Sequence, residues 1–154
     1  MTIAPIKQTV SVKLPPDRAF QVFTARMGEW WPRGKTIGKD PHRIVMVEPR
    51  ADGRWYEEDE AGKQCEWGKV IDWDPPHRLL LAWQLDASFS YDPELETEVL
   101  ITFETEGTGT RVQLEHRNLE RFGPSAERVA GQLAAGWPSR LQDFANFANR
   151  EDLE

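Results

Sequence analysis

The segment Pro124–Arg150, with the sequence PSAERVAGQLAAGWPSRLQDFANFANR, decides the fold of this chain. Its apolar residues recur at spacings of three and four, which is typical of one face of an amphipathic helix. They are Val129, Leu133, Trp137, Leu141, Phe144 and Ala148. A helix of about 27 residues at ~1.5 Å per residue would be ~40 Å long, enough to cross a small sheet. The sequence therefore predicts a long closing helix that lies in a curved surface.

Pro138 interrupts this helical pattern. It lacks the N–H that would bond to the carbonyl of Ala134, so we expect a kink or a break there. The small residues Ala134, Ala135 and Gly136 come just before the bulky Trp137. Two interpretations stay open: ordinary packing on a sheet with a tolerated kink, or a kink that shapes a pocket or its mouth.

The composition restricts the class of protein. A chain of 154 residues is long enough for one ordinary domain, and we expect residues 1–154 to form a single one. Its formal net charge of -7 argues against nucleic acid as a partner. No apolar run approaches the ~18 residues of a membrane-spanning helix, so no membrane partner is expected. The single Cys65 and the lack of a signal-peptide pattern in Met1–Val10 predict a cytoplasmic protein.

The first third of the chain predicts one strand and a pair of short helices. Residues Ile6–Leu14 alternate as a strand does, and a helix can open at Pro16 or Asp17. Its buried face is expected to contain Phe20, Val22, Phe23 and Met27, before Trp30 and Trp31. The loop Pro32–Pro41 that follows is mildly basic, and solvated charge is favoured there over an anion site because no helix start follows.

The middle of the chain predicts strands joined by short turns, so neighbouring strands should be antiparallel. The predicted strands are Ile44–Glu48, Gly53–Glu58, Lys63–Trp73, Arg78–Leu85, Leu95–Glu104 and Arg111–Asn118. The longer link between Leu85 and Leu95 contains Phe89 and Tyr91. These two aromatic residues either cover the edge of the sheet or gate a cavity.

Three stretches carry a resemblance to a known family: Gly68–Trp83, Leu114–His116, and Gly136–Ser139 followed by Leu141. They resemble the activator of heat-shock-chaperone ATPase homologues (AHSA-like) of the START-like superfamily, over nearly the whole chain. The resemblance implies an α+β helix-grip (START-like) fold. In this fold a curved antiparallel sheet of about six to seven strands wraps around a long C-terminal helix, with two short helices after the first strand.

The resemblance also implies a cavity between the sheet and the long helix, open near the loops Pro32–Pro41 and Asp86–Pro93. The superfamily hosts ligand carriers, cyclases, hydrolases and chaperone regulators, so the scaffold does not define one activity. The chaperone activators carry an additional domain ahead of this one, and this chain has no room for it. Chaperone activation is therefore not the leading expectation.

Strand alternation predicts which residues line the concave face. They are Leu79, Leu81, Trp83, Leu85, Val99, Ile101, Phe103, Val112, Leu114 and His116, joined by Trp55, Trp67 and Trp73. Because Trp67 and Val70 disagree in parity, we expect a bulge near Gly68. A dry void of ~300 Å³ would cost ~7 kcal/mol, so the space must be filled, hydrated or small.

The candidate ligand-binding residues are Trp31, Trp55, Tyr56, Trp67, Trp83, His116, Leu133 and Trp137. His116 could act as an acid or base with Tyr56, Glu66 or Glu104, but a structural histidine bonded to backbone is favoured. No metal or cofactor is expected, because the histidines and Cys65 have no ligand-like spacing. Cys65 is interpreted as a small buried hydrophobe. The acidic run Glu57–Glu60 is interpreted as a solvated hairpin end, with a docking surface as the weaker alternative.

The leading functional hypothesis is a non-enzymatic receptor for a small apolar or aromatic molecule. The second is a protein-interaction or co-chaperone module with a chaperone as partner. The third is a cyclase-like or hydrolase-like enzyme that uses His116.

Overall fold

The computed structural model describes residues 3–150. Its strands and helices follow one another in the order that the sequence predicts. In this part of the chain the strands and helices are β1 (Ile6–Val12), α1 (Pro16–Ala25), α2 (Met27–Trp30), β2 (His42–Val47), β3 (Arg54–Asp59), β4 (Gln64–Asp74), β5 (Arg78–Trp83), β6 (Thr97–Glu106), β7 (Gly109–Arg117) and α3 (Ala126–Arg150). A 3₁₀ segment, Leu119–Ser125, leads into α3. The predicted boundaries differ from these by a few residues at most.

The seven strands form one sheet in the order β1-β7-β6-β5-β4-β3-β2. All neighbours are antiparallel, and β1 pairs with β7 through a register that places Ile6 opposite His116. The sheet is curled and holds the long C-terminal helix, with the two short helices after β1. The predicted α+β helix-grip fold is therefore confirmed.

The apolar stripe of α3 faces the core as predicted, and all six of its residues are buried. The helix packs against β1, α2 and the 3₁₀ segment. One contact that links it to α1 is the edge-on packing of Phe144 on Phe23, with ring centroids 5.1 Å apart. The residues predicted on the concave side of β5, β6 and β7 are buried without exception.

The helix α3 runs without a break through Pro138, so of the two alternatives that the sequence left open, a kink or a break, the break is wrong. Pro138 removes one intrahelical hydrogen bond to the carbonyl of Ala134. Ala134 lies on the exposed side of the helix, where water can bond that carbonyl instead. The side chain of Trp137 points into the core from the same turn and is 4% exposed.

A β-bulge between β3 and β4 explains the conflicting parity of Trp67. Trp55 pairs with Gly68 and Tyr56 pairs with Glu66, so Trp67 is the extra residue. The predicted bulge near Gly68 is confirmed. A Cβ on Gly68 would overlap the backbone carbonyl oxygen of Ala82, which explains why only glycine fits at this position.

Within residues 3–150, no helix has the combination of length and hydrophobicity that crossing a membrane requires.

Candidate functional site

A cavity of about 180 Å³ lies beside α3, the loop that follows α2, and strands β4 and β5. We call its buried lining the base and its exposed or half-buried lining the rim. The base consists of Trp31, Trp67, Trp83, Leu85, Leu133 and Trp137. The rim consists of Lys35, Thr36, Ile37, Phe89, Gln132, Gly136 and Arg140. The loops 32–41 and 86–93 both contribute to the rim, as the family resemblance implies.

Five tryptophans form a closed circuit of ring contacts at this site, which we call the tryptophan cluster. The centroid distances are 4.8 Å for Trp31 and Trp67, 5.4 Å for Trp67 and Trp55, and 5.9 Å for Trp55 and Trp83. Trp83 and Trp137 are 5.6 Å apart, and Trp137 returns to Trp31 at 6.3 Å. Most of these contacts are edge-to-face, the arrangement that the charge distribution of aromatic rings favours. The circuit fixes the shape of the base.

Three of the four indole N–H groups of the base donate a hydrogen bond to an acceptor in the protein. Trp31 donates to the carbonyl of Lys35 at 2.9 Å, Trp67 to the Glu57 carboxylate at 2.7 Å, and Trp137 to Nδ1 of His116 at 3.1 Å. For the N–H of Trp83, residues 3–150 provide no hydrogen-bond partner. Trp83 therefore retains a donor for water or for a ligand.

Glu57 is buried, so its interpretation as part of a solvated hairpin end is wrong. It is 1% exposed, and Asp59 in the same run is 8% exposed. Oε1 of Glu57 accepts from Trp67 Nε1 and from the backbone N–H of Ile37 at 2.8 Å, while Oε2 accepts from the N–H of Gly38 at 3.0 Å. Strand alternation turns Glu57 inward, and three donors compensate for its burial. Glu57 therefore joins the rim loop to the base.

His116 is fully buried, with both ring nitrogens bonded to side chains rather than to backbone. Because Trp137 can only donate, Nδ1 is the acceptor and Nε2 carries the proton, which it donates to Thr97 Oγ1 at 2.8 Å. Thr97 in turn donates to the carbonyl of Trp83. Burial lowers the pKa of His116 to about 3. The imidazole is therefore neutral at physiological pH and has no free nitrogen for proton transfer.

The structure brings most of the predicted site residues together. Trp31, Trp67, Trp83, Leu133 and Trp137 line the cavity. Trp55 completes the tryptophan cluster without lining the cavity, and His116 lies behind Trp137.

Tyr56 is not at the cavity, and its expected place beside His116 is wrong. It follows Trp55 directly on β3, so the two side chains point to opposite faces of the sheet. On the outer face the guanidinium of Arg54 lies 3.9 Å from the centre of the Tyr56 ring and pairs with Glu66. Trp73 also lies away from the cavity, where it packs edge-on against Phe20 at 5.0 Å.

Sequence reasoning favoured solvated charge for the loop that contains Lys35, and it did not consider Arg140. Lys35 and Arg140 both line the cavity although 105 positions separate them, and no local pattern links them. Arg140 follows Trp137 by three positions and therefore shares its side of α3, which is the one signal that could have indicated it. Phe89 lies on the rim and is 38% exposed, while Tyr91 forms an isolated bridge with Leu85.

The remaining candidate residues, Cys65 and His42, do not line the cavity. The thiol of Cys65 is half-buried, and its pKa is raised by burial and by the charge of Glu57. His42 is buried and bonds the carbonyl of Gly28 through Nε2 at 2.9 Å. Among the residues that the structure describes, no three His, Cys, Asp or Glu side chains are grouped to hold a metal ion.

Comparisons with known proteins match this architecture. The family model described as activator of Hsp90 ATPase homolog 1-like protein matches residues 13–149. The solved anthrahydroquino-gamma-pyrone synthase Txn09, complexed with SUM, is 34% identical, with a TM-score of 0.67 over 94% of this chain and 97% of that chain. The self-sacrificing resistance protein CalC from Micromonospora echinospora is 31% identical, with a TM-score of 0.74 over 98% and 97%.

A more distant solved structure shares the fold alone. The Aha1 dimer from Colwellia psychrerythraea is 15% identical, with a TM-score of 0.68 over 96% of this chain and 97% of that chain. Among curated proteins there is no significant match.

Proposed function

The chain belongs to the activator of Hsp90 ATPase homolog 1-like family, and within it we propose a non-enzymatic cytoplasmic receptor for a small apolar or aromatic molecule. The helix-grip fold of this family is a ligand-binding fold. The observation that carries the proposal is the cavity beside α3, whose base contains four of the five members of the tryptophan cluster. Such a base offers large flat apolar surfaces to a ligand.

The size of the cavity limits the ligand. A volume of about 180 Å³ is below the ~300–1,000 Å³ of typical ligand pockets, and a cavity of ~150 Å³ accommodates a benzene molecule. The base therefore receives one aromatic ring or a similar apolar group. The rest of a larger molecule extends past the rim, between the loop 35–37 and Phe89.

The polar groups around the base support binding rather than catalysis. His116 has both nitrogens engaged and does not line the cavity. Glu57 is engaged by three donors. Neither residue can reach a ligand to exchange a proton without first losing its bonds, and general acid-base catalysis requires such reach.

A second candidate function, an enzyme of the cyclase or synthase type, has the 34% identical synthase Txn09 in its favour. This alternative requires a proton-transfer group at the ligand, and His116 is the candidate from the sequence. A His116→Ala variant that retains its fold and turns over a cyclisation substrate as fast as the wild type would eliminate His116 from this role.

The receptor proposal is tested by titration with small apolar and aromatic compounds. Binding is followed by the ¹H–¹⁵N indole resonances, and we expect those of Trp31, Trp67, Trp83 and Trp137 to shift while that of Trp73 does not. If no compound shifts any of the four base resonances, the proposal is wrong.

Two glycines of α3 provide a matched pair of variants. A Cβ added to Gly136 or to Gly131 meets no atom within 4 Å, so both positions accept a side chain. Gly136 lines the cavity and Gly131 does not. We expect Gly136→Leu to occupy the rim and weaken binding at least tenfold, and Gly131→Leu to bind like the wild type. Equal affinities for the two variants would contradict this location of the site.

A further inference from the structure

The charged residues of the cavity lining are both cations, in a chain whose formal net charge is -7. Lys35 comes from the loop after α2, and Arg140 comes from α3. No carboxylate is among the lining residues. The charged side chains that line the cavity are therefore opposite in sign to the net charge of the molecule.

These two cations retain donors for a ligand. Arg140 uses Nε to bond Asp143 Oδ2 at 3.1 Å, and within residues 3–150 neither of its terminal Nη atoms has a partner. The ammonium group of Lys35 forms no ion pair with a described carboxylate. Asp143 pairs with Arg140, and the buried Glu57 carboxylate bonds the N–H of Ile37 behind the rim, so the rim offers cationic donors to a ligand without a strong net positive charge.

The positions of these groups define a polarity gradient. The base is apolar apart from the free N–H of Trp83, whereas the rim presents Lys35, Arg140 and the amide of Gln132. With a neutral apolar ligand, Lys35 and Arg140 would form hydrogen bonds to water and none to the ligand. A ligand with an anionic oxygen outside the base would pair with them while its ring contacts the indoles.

From this gradient, and on the basis of the proposed receptor function, we infer that the ligand class is an aromatic molecule with an anionic oxygen substituent, a carboxylate or a phenolate. Its ring occupies the base, and its charged group lies at the rim between Lys35 and Arg140. The fixed guanidinium of Arg140, held by Asp143, sets the direction of the charged group. Lys35 is exposed on a loop and adds charge without fixed geometry.

The test compares two compounds of the same shape, naphthalene-2-carboxylate and naphthalene-2-carboxamide. Affinities are measured by calorimetry with the full-length protein at low and at high salt. We expect the carboxylate to bind about fivefold to tenfold more tightly than the amide at low salt, because two cations contribute. The difference should shrink at high salt, since salt screens exposed charges, while amide binding stays constant.

Variants of the two cations complete the test. Lys35→Met and Arg140→Gln should each lower carboxylate affinity about twofold to fivefold and leave amide affinity unchanged. The matched controls are Lys39→Met, in the same loop, and Arg128→Gln, on the same helix, because both side chains are exposed and neither lines the cavity. The controls make the same charge change and should leave both affinities unchanged.

The outcomes separate this inference from the receptor proposal. If the amide binds as tightly as the carboxylate, or if the controls weaken carboxylate binding as much as the rim variants, the inference is wrong and the receptor proposal stands. If neither compound nor any other aromatic molecule binds, both are wrong. Selective loss of carboxylate affinity in the two rim variants supports both.

Discussion

Replacing Glu57 with leucine removes the carboxylate that joins Ile37 and Gly38 of the rim loop to Trp67 of the tryptophan cluster. The substitution leaves the N–H groups of Trp67, Ile37 and Gly38 without their partner. An unsatisfied buried donor costs about 1–3 kcal/mol, which applies to Trp67. The two loop amides are half-buried and can gain water, so each adds about 1 kcal/mol. We therefore expect the free energy of unfolding to fall by about 3–5 kcal/mol.

A double-mutant cycle with Trp67→Phe isolates the central bond of this network. The phenylalanine variant has no N–H, so in that background Glu57→Leu leaves one orphaned donor fewer. We expect the double variant to be more stable than the sum of the single effects by about 1–3 kcal/mol. Unfolding by urea, followed by far-ultraviolet circular dichroism, measures all four proteins.

The control for this cycle is Glu58→Leu on the same strand. Glu58 faces the outer side of the sheet, where it bonds Arg43 and Gln64. This substitution should leave the unfolding free energy close to that of the wild type. Additive effects of Glu57→Leu and Trp67→Phe, or equal losses at positions 57 and 58, would refute the assignment of Glu57 as a buried acceptor.

Three further predictions concern other parts of the fold. The pKa of His116 is about 3 in the folded protein and ~6.5 in the unfolded chain. Between these pH values the imidazole is protonated only in the unfolded state, so a falling pH favours unfolding. The stability that the protein has above pH ~6.5 is therefore lost progressively as the pH falls. Between pH 7 and pH 4 the free energy of unfolding should fall by about 3 kcal/mol. Denaturation at a series of pH values should show a smaller fall in His116→Gln and an unchanged fall in His77→Gln. Gly68→Ala should destabilise the protein by about 3 kcal/mol or more, because the added Cβ would overlap a backbone carbonyl. Gly131→Ala lies on an open helix face and should stabilise the protein by about 0.5–1 kcal/mol. Thermal or chemical unfolding measures both effects. Phe89→Ala should open the rim and raise the dissociation rate of a bound aromatic ligand several-fold in stopped-flow measurements.

The fold could be predicted from the sequence because its determinants are local. The spacing of the apolar residues in α3 and the alternation within each strand depend only on neighbouring positions. Short turns then fix which strands pair. The bulge at Trp67 was also visible in the sequence, because alternation along the strand places Trp67 and Val70 on opposite faces although both are apolar. For the same reason Trp83 and Trp137 were identified by their side of a strand and of a helix.

The polar part of the site could not be predicted because it depends on contacts between distant elements. Alternation from Trp55 turns Glu57 inward, but nothing in the run Glu57–Glu60 indicates that its carboxylate meets the N–H groups of Ile37 and Gly38. Tyr56 was assigned inward together with Trp55, although consecutive residues of a strand face opposite sides. The engagement of both nitrogens of His116 likewise depends on Thr97 and Trp137, which belong to two other elements.

The closed circuit of five tryptophans has a photophysical consequence. Indoles at contact distance exchange excitation energy, so a photon absorbed by one of them can be emitted or quenched at another. A ligand that quenches Trp83 alone would therefore dim the emission of the other four members of the cluster as well, through its neighbours Trp55 and Trp137. Conversely, removing any one indole should alter the exciton bands in the near-ultraviolet dichroism of the whole set. Occupancy of the cavity should therefore change the emission of the whole tryptophan cluster and not only that of the ring the ligand contacts.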